Sequence, residues 1–202
     1  MAKCIHSLFT FADMGQTEEP KRCPWCLKDE LYKAYHDAEW GRPSRNDVHL
    51  FEMMILESFQ AGLSWYTILS KRENFRTAFD GFDVHKVAAY TPAKTEQLMQ
   101  NAGIVRNRLK IEAAINNARC FIEVQSEYGS FADYIWAFTN NRVLDNKPER
   151  MQDIASRTDV SDAMAKDLKL RGFKFMGSTV CYAKMQSIGM VNDHLLDCCC
   201  RK

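Results

Sequence analysis

The sequence lacks what would place a chain in a membrane. No apolar run approaches the roughly 20 residues that cross a bilayer as a helix. Near the start lies one short apolar patch, Leu8-Phe9-Thr10-Phe11-Ala12, without a strongly basic lead or a small-residue cleavage site, so it is not read as a secretory signal. Residues 1–19 are expected to be a loose, disordered tail, since termini are poorly ordered unless tied down, and the expected location is cytoplasmic. Excess charge is missing too: 27 Lys and Arg stand against 26 Asp and Glu, a formal net charge of +1. A nucleic-acid partner would therefore have to be held by local cations rather than by the field of the whole molecule. Two groups qualify, Arg106, Arg108 and Lys110, and separately Lys166, Lys169, Arg171 and Lys174; a solvated helix face explains either group as readily. Sustained period-two alternation, internal repeats and low-complexity linkers are all absent, which argues against sheet and solenoid architectures.

What is present is a globular composition. Hydrophobic residues make up 46% and charged residues 26%, enough over 202 residues for one compact domain or two small lobes sharing a core. Cysteine is abundant, at eight. Even parity would suit disulfides, but no secretion signal accompanies it, and the placement favours metal. Besides Cys4, Cys23 and Cys26 lie near the start and Cys198-Cys199-Cys200 at the end, with only Cys120 and Cys181 through the long middle.

The pattern predicts an all-α fold. Asp29 can cap a helix through about Trp40, and Asn46 or Asp47 one that stops at Gly62. Ser64 can start another. Thr91-Pro92 suits a helix start that ends at Gly103, because proline fits the first helical position. From Arg108 onward, Ile111, Ala114, Ile115, Ala118, Phe121 and Ile122 recur at helical spacing. Ser161–Arg171 and Thr179–Ile188 give two more, stopped by Gly172 and Gly189. The weakest pattern runs from Asn140 to Arg157.

His194 and Cys198 are one helical turn apart and can share an ion. Cys23 precedes a helix carrying His36, and a Cys, His, His, Cys set would make a closed structural Zn²⁺ site joining the two ends of the chain. Cys23-Pro24-Trp25-Cys26 leaves two rivals open: a knuckle using Cys26 in place of His36, and a thiol redox pair. The second would be expected beside a strand-helix-strand pattern, which is not visible. Three neighbouring cysteines at the other end cannot comfortably ligate one ion together, as side chains diverge on a helix.

The segment from Leu50 to Trp65 is apolar nearly all round, yet it carries Glu57. A carboxylate there costs several kcal/mol by order of magnitude unless paired. Either Lys71 or Arg72 forms an ion pair with it, or Glu57 faces a cavity and accepts hydrogen bonds from a ligand. Trp25, Tyr32, Tyr35 and Trp65 flank it in sequence, and aromatic walls with one acid suit a planar cation. The stretch Gln100 to Arg108, with Gly103, Arg106 and Arg108, fits a helix-hairpin-helix that holds a DNA phosphate; a helix C-cap explains Gly103 equally.

Three stretches together resemble the DNA-3-methyladenine glycosylase I family: Tyr35-His36-Asp37-Ala38-Glu39-Trp40-Gly41, then Glu57-Ser58-Phe59-Gln60-Ala61-Gly62-Leu63-Ser64-Trp65, then Arg171-Gly172-Phe173-Lys174-Phe175 continuing through Val191-Asn192-Asp193-His194. The likeness runs from about Cys23 to Cys200. It implies a helix-hairpin-helix glycosylase fold of two helical lobes over residues 20–202, with one structural zinc on Cys23, His36, His194 and Cys198. It also implies a base pocket at Glu57, Tyr35 and Trp65, with Tyr32 and Trp25 beside it, and a loop at Gly62 and Leu63 that presses into the DNA. The activity implied is hydrolysis of the N-glycosidic bond of 3-methyladenine by base flipping, leaving an abasic site. Its partner would be double-stranded DNA containing alkylated adenine, bound by a monomer with no catalytic aspartate. The sequence departs from the family at Pro24-Trp25-Cys26, where Cys26 could compete for metal, and at Ser58 and Phe59, where relatives are expected to carry more Gly or Gln. Two other classes stay in view, a zinc-stapled DNA-binding module without catalysis and a Cys-x-x-Cys thiol oxidoreductase.

Overall fold

A computed structural model describes residues 19–201; the expected tail falls almost wholly outside the described residues. The described chain is mostly helical. Its ten α-helices are α1 (Glu30–Ala38), α2 (Asp47–Gln60), α3 (Trp65–Leu69), α4 (Arg72–Ala78), α5 (Val84–Ala88), α6 (Pro92–Gln100), α7 (Arg108–Tyr128), α8 (Phe131–Ala137), α9 (Asp159–Leu170) and α10 (Ser178–Ser187).

The caps explain most of the boundaries. Side chains of Asp29, Asn46, Ser64, Thr91 and Asn107 each accept a backbone N–H in the first turn of α1, α2, α3, α6 and α7. Two starts differ from the sequence reading. Helix α9 begins before Ser161, because Thr158 is its cap and Ser161 closes a reciprocal capping box from the third position. Helix α10 starts at Ser178 behind Gly177, which offers no side-chain cap. Helix α1 stops at Ala38 rather than Trp40, and α6 at Gln100 rather than Gly103.

Helices α4, α5 and α8 are short and were not expected. Nor does the sequence pattern predict a two-residue parallel pairing of β1 (Leu144–Asp145) with β2 (Val191–Asn192). It lies in the stretch with the weakest pattern and pins it to the segment that leads to His194.

Helix α2 is the centre of the molecule, as its all-round apolar character requires. Every residue from Leu50 to Phe59 is buried, and the helix packs against α3, α4, α7, α8 and α10. Aromatic contacts lock it on two sides, Phe51 with Phe121 at 5.3 Å and Phe59 with Phe75 at 5.0 Å between ring centroids. The turn after α10 is held against the segment after α1. Gly189 has φ +71°, and a Cβ there would sit 2.2 Å from the carbonyl carbon of Arg42, so only glycine fits. Nearer the two ends of the described chain, the Cys199 N–H donates to the Lys21 carbonyl at 2.7 Å.

Candidate active site and metal cluster

A cavity of about 310 Å³ opens between α1, α2, α3, the 151–156 segment and α10. Trp25, Tyr32, Tyr35, Trp40 and Trp65 supply aromatic walls, and Glu57 is the sole ionisable carboxyl among the lining residues. No Lys, Arg or His lines it. The rings brace one another: Trp25 lies 4.9 Å from Tyr32 and 5.0 Å from Trp40, and Tyr35 lies 5.4 Å from Trp65, all edge-on or tilted. All five residues that the resemblance assigns to a base pocket are thus gathered round one space.

Glu57 is 3% exposed. Its Oε1 accepts a hydrogen bond from Ser187 Oγ at 2.5 Å, while Oε2 is buried with no partner among the described residues. Trp65 Nε1 is likewise buried and unpartnered. An unsatisfied acceptor and an unsatisfied donor on the same cavity are costly to leave bare. Burial raises the pKa of Glu57, with Lys184 and Ser187 opposing. Burial also lifts Tyr35 well above the ordinary tyrosine value, and Glu57 adds to it.

Neither basic partner considered for Glu57 reaches it. Arg72 binds Glu52 at 2.8 Å and Glu39 at 2.7 Å. Lys71 lies 3.5 Å from the carbonyls of Ala102 and Gly103. The cation that does act on Glu57 is Lys184 on α10, fully buried, which donates to the Leu50 carbonyl at 2.6 Å. Burial lowers its pKa and Glu57 opposes that. A lysine in a helix of weak amphipathic pattern gave no sign of this role.

Other lining groups also went unread. Tyr182 and Gln186 project from α10 into the cavity, and both donate to Asp193 Oδ2, at 2.7 and 2.8 Å. Asp193 is buried, and Asn146 donates to its other oxygen at 2.8 Å. The residue before His194 therefore fixes one wall of the cavity.

Cys23, His36, His194 and Cys198 form a buried cluster whose ligand atoms all lie within 4.8 Å of one another. Cys198 Sγ is 3.5 Å from both His36 Nε2 and His194 Nδ1, and Cys23 Sγ is 3.9 Å from His194 Nδ1. A tetrahedral ion with metal–sulfur bonds of about 2.3 Å and metal–nitrogen bonds of about 2.0–2.1 Å requires sulfur–nitrogen edges of about 3.6 Å, so the set fits. The outer nitrogens are engaged as metal-binding imidazoles require: His36 Nδ1–H donates to Asp37 at 2.7 Å, and His194 Nε2–H to the Trp40 carbonyl at 3.1 Å. Burial lowers the pKa of both histidines, leaving them neutral, the form that ligates. Burial pushes the Cys23 thiol up to about 12, and a cation in the cluster would restore its thiolate. Cys26 stands apart, its thiol donating to the Cys23 carbonyl at 3.1 Å.

The residues read as DNA contacts spread over two places. Gly62 and Leu63 form the exposed α2–α3 turn, with Gly62 at φ +80° and Leu63 41% exposed. Gly103, Arg106 and Arg108 lie in the α6–α7 hairpin, where the Gly103 N–H donates to Asn101 Oδ1 at 2.8 Å. Arg106 is exposed, but Arg108 is held by Glu96 at 2.6 Å. Lys110 belongs to no surface patch: it is buried and donates to the carbonyls of Phe59 and Ala61, closing the C-terminal end of α2. In the second basic group, Arg171 is held by Glu127 and Asp167. Lys166, Lys169 and Lys174 border a groove that reaches Gly177 and Ser178 at the uncapped start of α10. One residue further along, Thr179 lines the aromatic cavity.

The methyladenine glycosylase family model matches residues 25–202. DNA-3-methyladenine glycosylase 1 of Escherichia coli is 48% identical over 180 residues, covering 89% of this chain and 96% of that protein. The DNA-3-methyladenine glycosylase of Haemophilus influenzae is 45% identical over 89% of this chain and 97% of that protein. Among solved structures, a crystal structure of a 3-methyladenine DNA glycosylase I superposes with a TM-score of 0.88 at 47% identity, covering 90% of this chain and all of that one. The Staphylococcus aureus enzyme, whose structure concerns 3-methyladenine recognition, gives 0.87 at 36% identity, with 90% and 96% covered.

Proposed function

The chain belongs to the methyladenine glycosylase family, and from that premise we propose that the aromatic cavity receives the extruded base while Glu57 reads its edge. The protein is an enzyme of DNA repair that hydrolyses the N-glycosyl bond of 3-methyladenine. The observation that carries the site assignment is the unpartnered Oε2 of buried Glu57 inside that cavity.

The chemistry follows from the charge of the base. Adenine methylated at N3 is cationic while attached to the sugar, so the electrons of the breaking C1′–N9 bond return it to neutrality. It leaves without protonation by the enzyme, and water adds at C1′, losing a proton and giving the abasic sugar. The work of the protein is extrusion, which costs a few kcal/mol, and selective binding of the flipped base. Tyr35 and Trp65 pack on the base, with Trp25 and Tyr32 beside them. Glu57 accepts from the base edge and Trp65 Nε1 has a donor to offer. Normal adenine lacks the charge that would compensate the buried carboxylate, and so binds less well. Glu57 is the one carboxyl among the lining residues, and we assign it to recognition because the leaving group needs no acid.

We read the partner as double-stranded DNA and the chain as a monomeric, cytoplasmic single domain over residues 20–202, its two helical lobes meeting along α2. No described helix is long and apolar enough to cross a membrane. Leu63, on its glycine turn, fills the gap left by the extruded base. Phosphates are held by Arg106 and the amides near Gly103, with Arg108 joining once released from Glu96. The lysine-bordered groove at the open start of α10 supports a second phosphate contact, adjoining the cavity through Ser178 and Thr179. We assign one structural Zn²⁺ to Cys23, His36, His194 and Cys198: a closed set of two thiolates and two imidazoles has no position for substrate, and the ion supplies cross-linking of the two ends rather than chemistry.

Free 3-methyladenine binding tests the pocket. Titration into the protein should change the emission of the cavity tryptophans in the wild type, and far less at the same concentrations in Glu57→Leu, which has no acceptor for the edge of the neutral free base. Equal response of both proteins would remove Glu57 from recognition.

A further inference from the structure

The cluster of Cys23, His36, His194 and Cys198 is buried on every side, so a metal held there needs a route in and out. Two thiols lie along one. Cys199 is exposed, and its Sγ is 3.8 Å from that of half-buried Cys200. Cys198, Cys199 and Cys200 together bring one sulfur each within 4.8 Å of the others, and Cys200 groups in the same way with His36 and Asp37. The Cys200 thiol donates to Asp37 Oδ1 at 3.3 Å, the oxygen that also accepts from ligand His36. Its backbone N–H points at Cys198 Sγ, 3.4 Å away. The three sulfurs thus step from solvent to the buried ligand, and none of this is used by base recognition.

We propose that Cys199 and Cys200 form a thiol relay through which zinc is exchanged between solvent and the buried cluster. The proposal rests on reading that cluster as a zinc site. A relay thiol that would bind the metal gives its proton to water, and the thiolate it would displace takes one back, so that bonds and protons balance at each exchange. Cys200 would take the place of Cys198 and Cys199 would carry the exchange to solvent, where water and a competing thiophilic ligand would take the places of Cys23, His36 and His194; loading would be the reverse. No electron changes hands. The closed four-ligand set is thereby combined with kinetic access that burial alone would deny.

The test uses zinc-loaded protein mixed with excess isotopically enriched ⁶⁷Zn²⁺, with exchange followed by native mass spectrometry. Cys199→Ser/Cys200→Ser should still carry one zinc and melt at the wild-type temperature, yet exchange about tenfold more slowly or worse. Cys200→Ser alone keeps a donor to Asp37 and should also be slow, whereas Cys120→Ser should match the wild type. Unchanged exchange in the double variant with full zinc content overturns the relay alone. A wild-type preparation that binds no zinc under any loading condition overturns both the relay and the zinc assignment on which it rests.

Discussion

Ser187 and Glu57 meet across the interface of α10 and α2, with the serine hydroxyl donating to one carboxylate oxygen at 2.5 Å and leaving the other bare. The bond fixes the carboxylate plane, so the free oxygen is aimed before any base arrives. Glu57→Gln keeps the shape and removes the charge. A hydrogen bond to a charged group contributes roughly 1.5–3 kcal/mol, so kcat/KM on 3-methyladenine-containing DNA should fall about 10- to 150-fold. Steady-state kinetics on a defined oligonucleotide would check it.

Burial raises the Glu57 pKa above the ordinary 4.5, and that sets the pH dependence. Below the raised value free Glu57 is protonated, and binding a cationic base requires its proton to leave. Affinity for the cation should therefore rise with pH up to the raised value and level off above it. Lys184 opposes the rise, so Lys184→Met should move the plateau to higher pH, and Glu57→Gln should flatten the profile. Stability runs the other way. Between the unfolded carboxyl value and the raised folded one the native state holds the extra proton, so the Glu57 contribution is lost as pH climbs. The stability advantage of Glu57→Gln over wild type should widen across that interval in denaturant titrations.

Much of this site was legible before the structure, for physical reasons. An acid in the middle of an all-round apolar helix demands a partner, and Cys and His four residues apart can share an ion; the structure brings His194 and Cys198 together on a turn rather than on the helix the spacing suggested. What was not legible were partners far away in sequence. Ser187 bonds Glu57 from 130 positions away, and Lys184, 127 positions away, acts on it through its charge while donating to the Leu50 carbonyl; a lysine or serine on a helix carries no mark of what it will face. Lys110 was read as part of a basic face and instead closes the end of α2, since a long side chain can bury its stem and deliver its ammonium to carbonyls. Short helices such as α5 span too few residues for periodicity to declare them.

The α2–α3 turn separates stability from function. Leu63 is exposed and belongs to no core cluster, so Leu63→Ala should change unfolding free energy by less than about 0.5 kcal/mol. Release of base from duplex DNA should nevertheless fall, while binding of free 3-methyladenine stays unchanged. Comparing the two assays on one preparation checks it.

Loss of the metal cluster should have the opposite signature. Cys198→Ser or His194→Ala should abolish zinc binding and destabilise the fold by more than about 2 kcal/mol, and a strong chelator should lower the melting temperature of the wild type. Cys26→Ala should retain both zinc and melting temperature, because its thiol faces the Cys23 carbonyl rather than the cluster. Metal analysis beside calorimetry decides between them.

The most direct measurement is chromatographic. Purified protein is incubated with methylated duplex DNA, and the free bases released are identified, with Glu57→Gln run alongside. The account predicts 3-methyladenine from the wild type, with 7-methylguanine left in the DNA, and strongly reduced release from the variant. Release of both bases, or equal release by the two proteins, would contradict a pocket in which a buried carboxylate selects the flipped base.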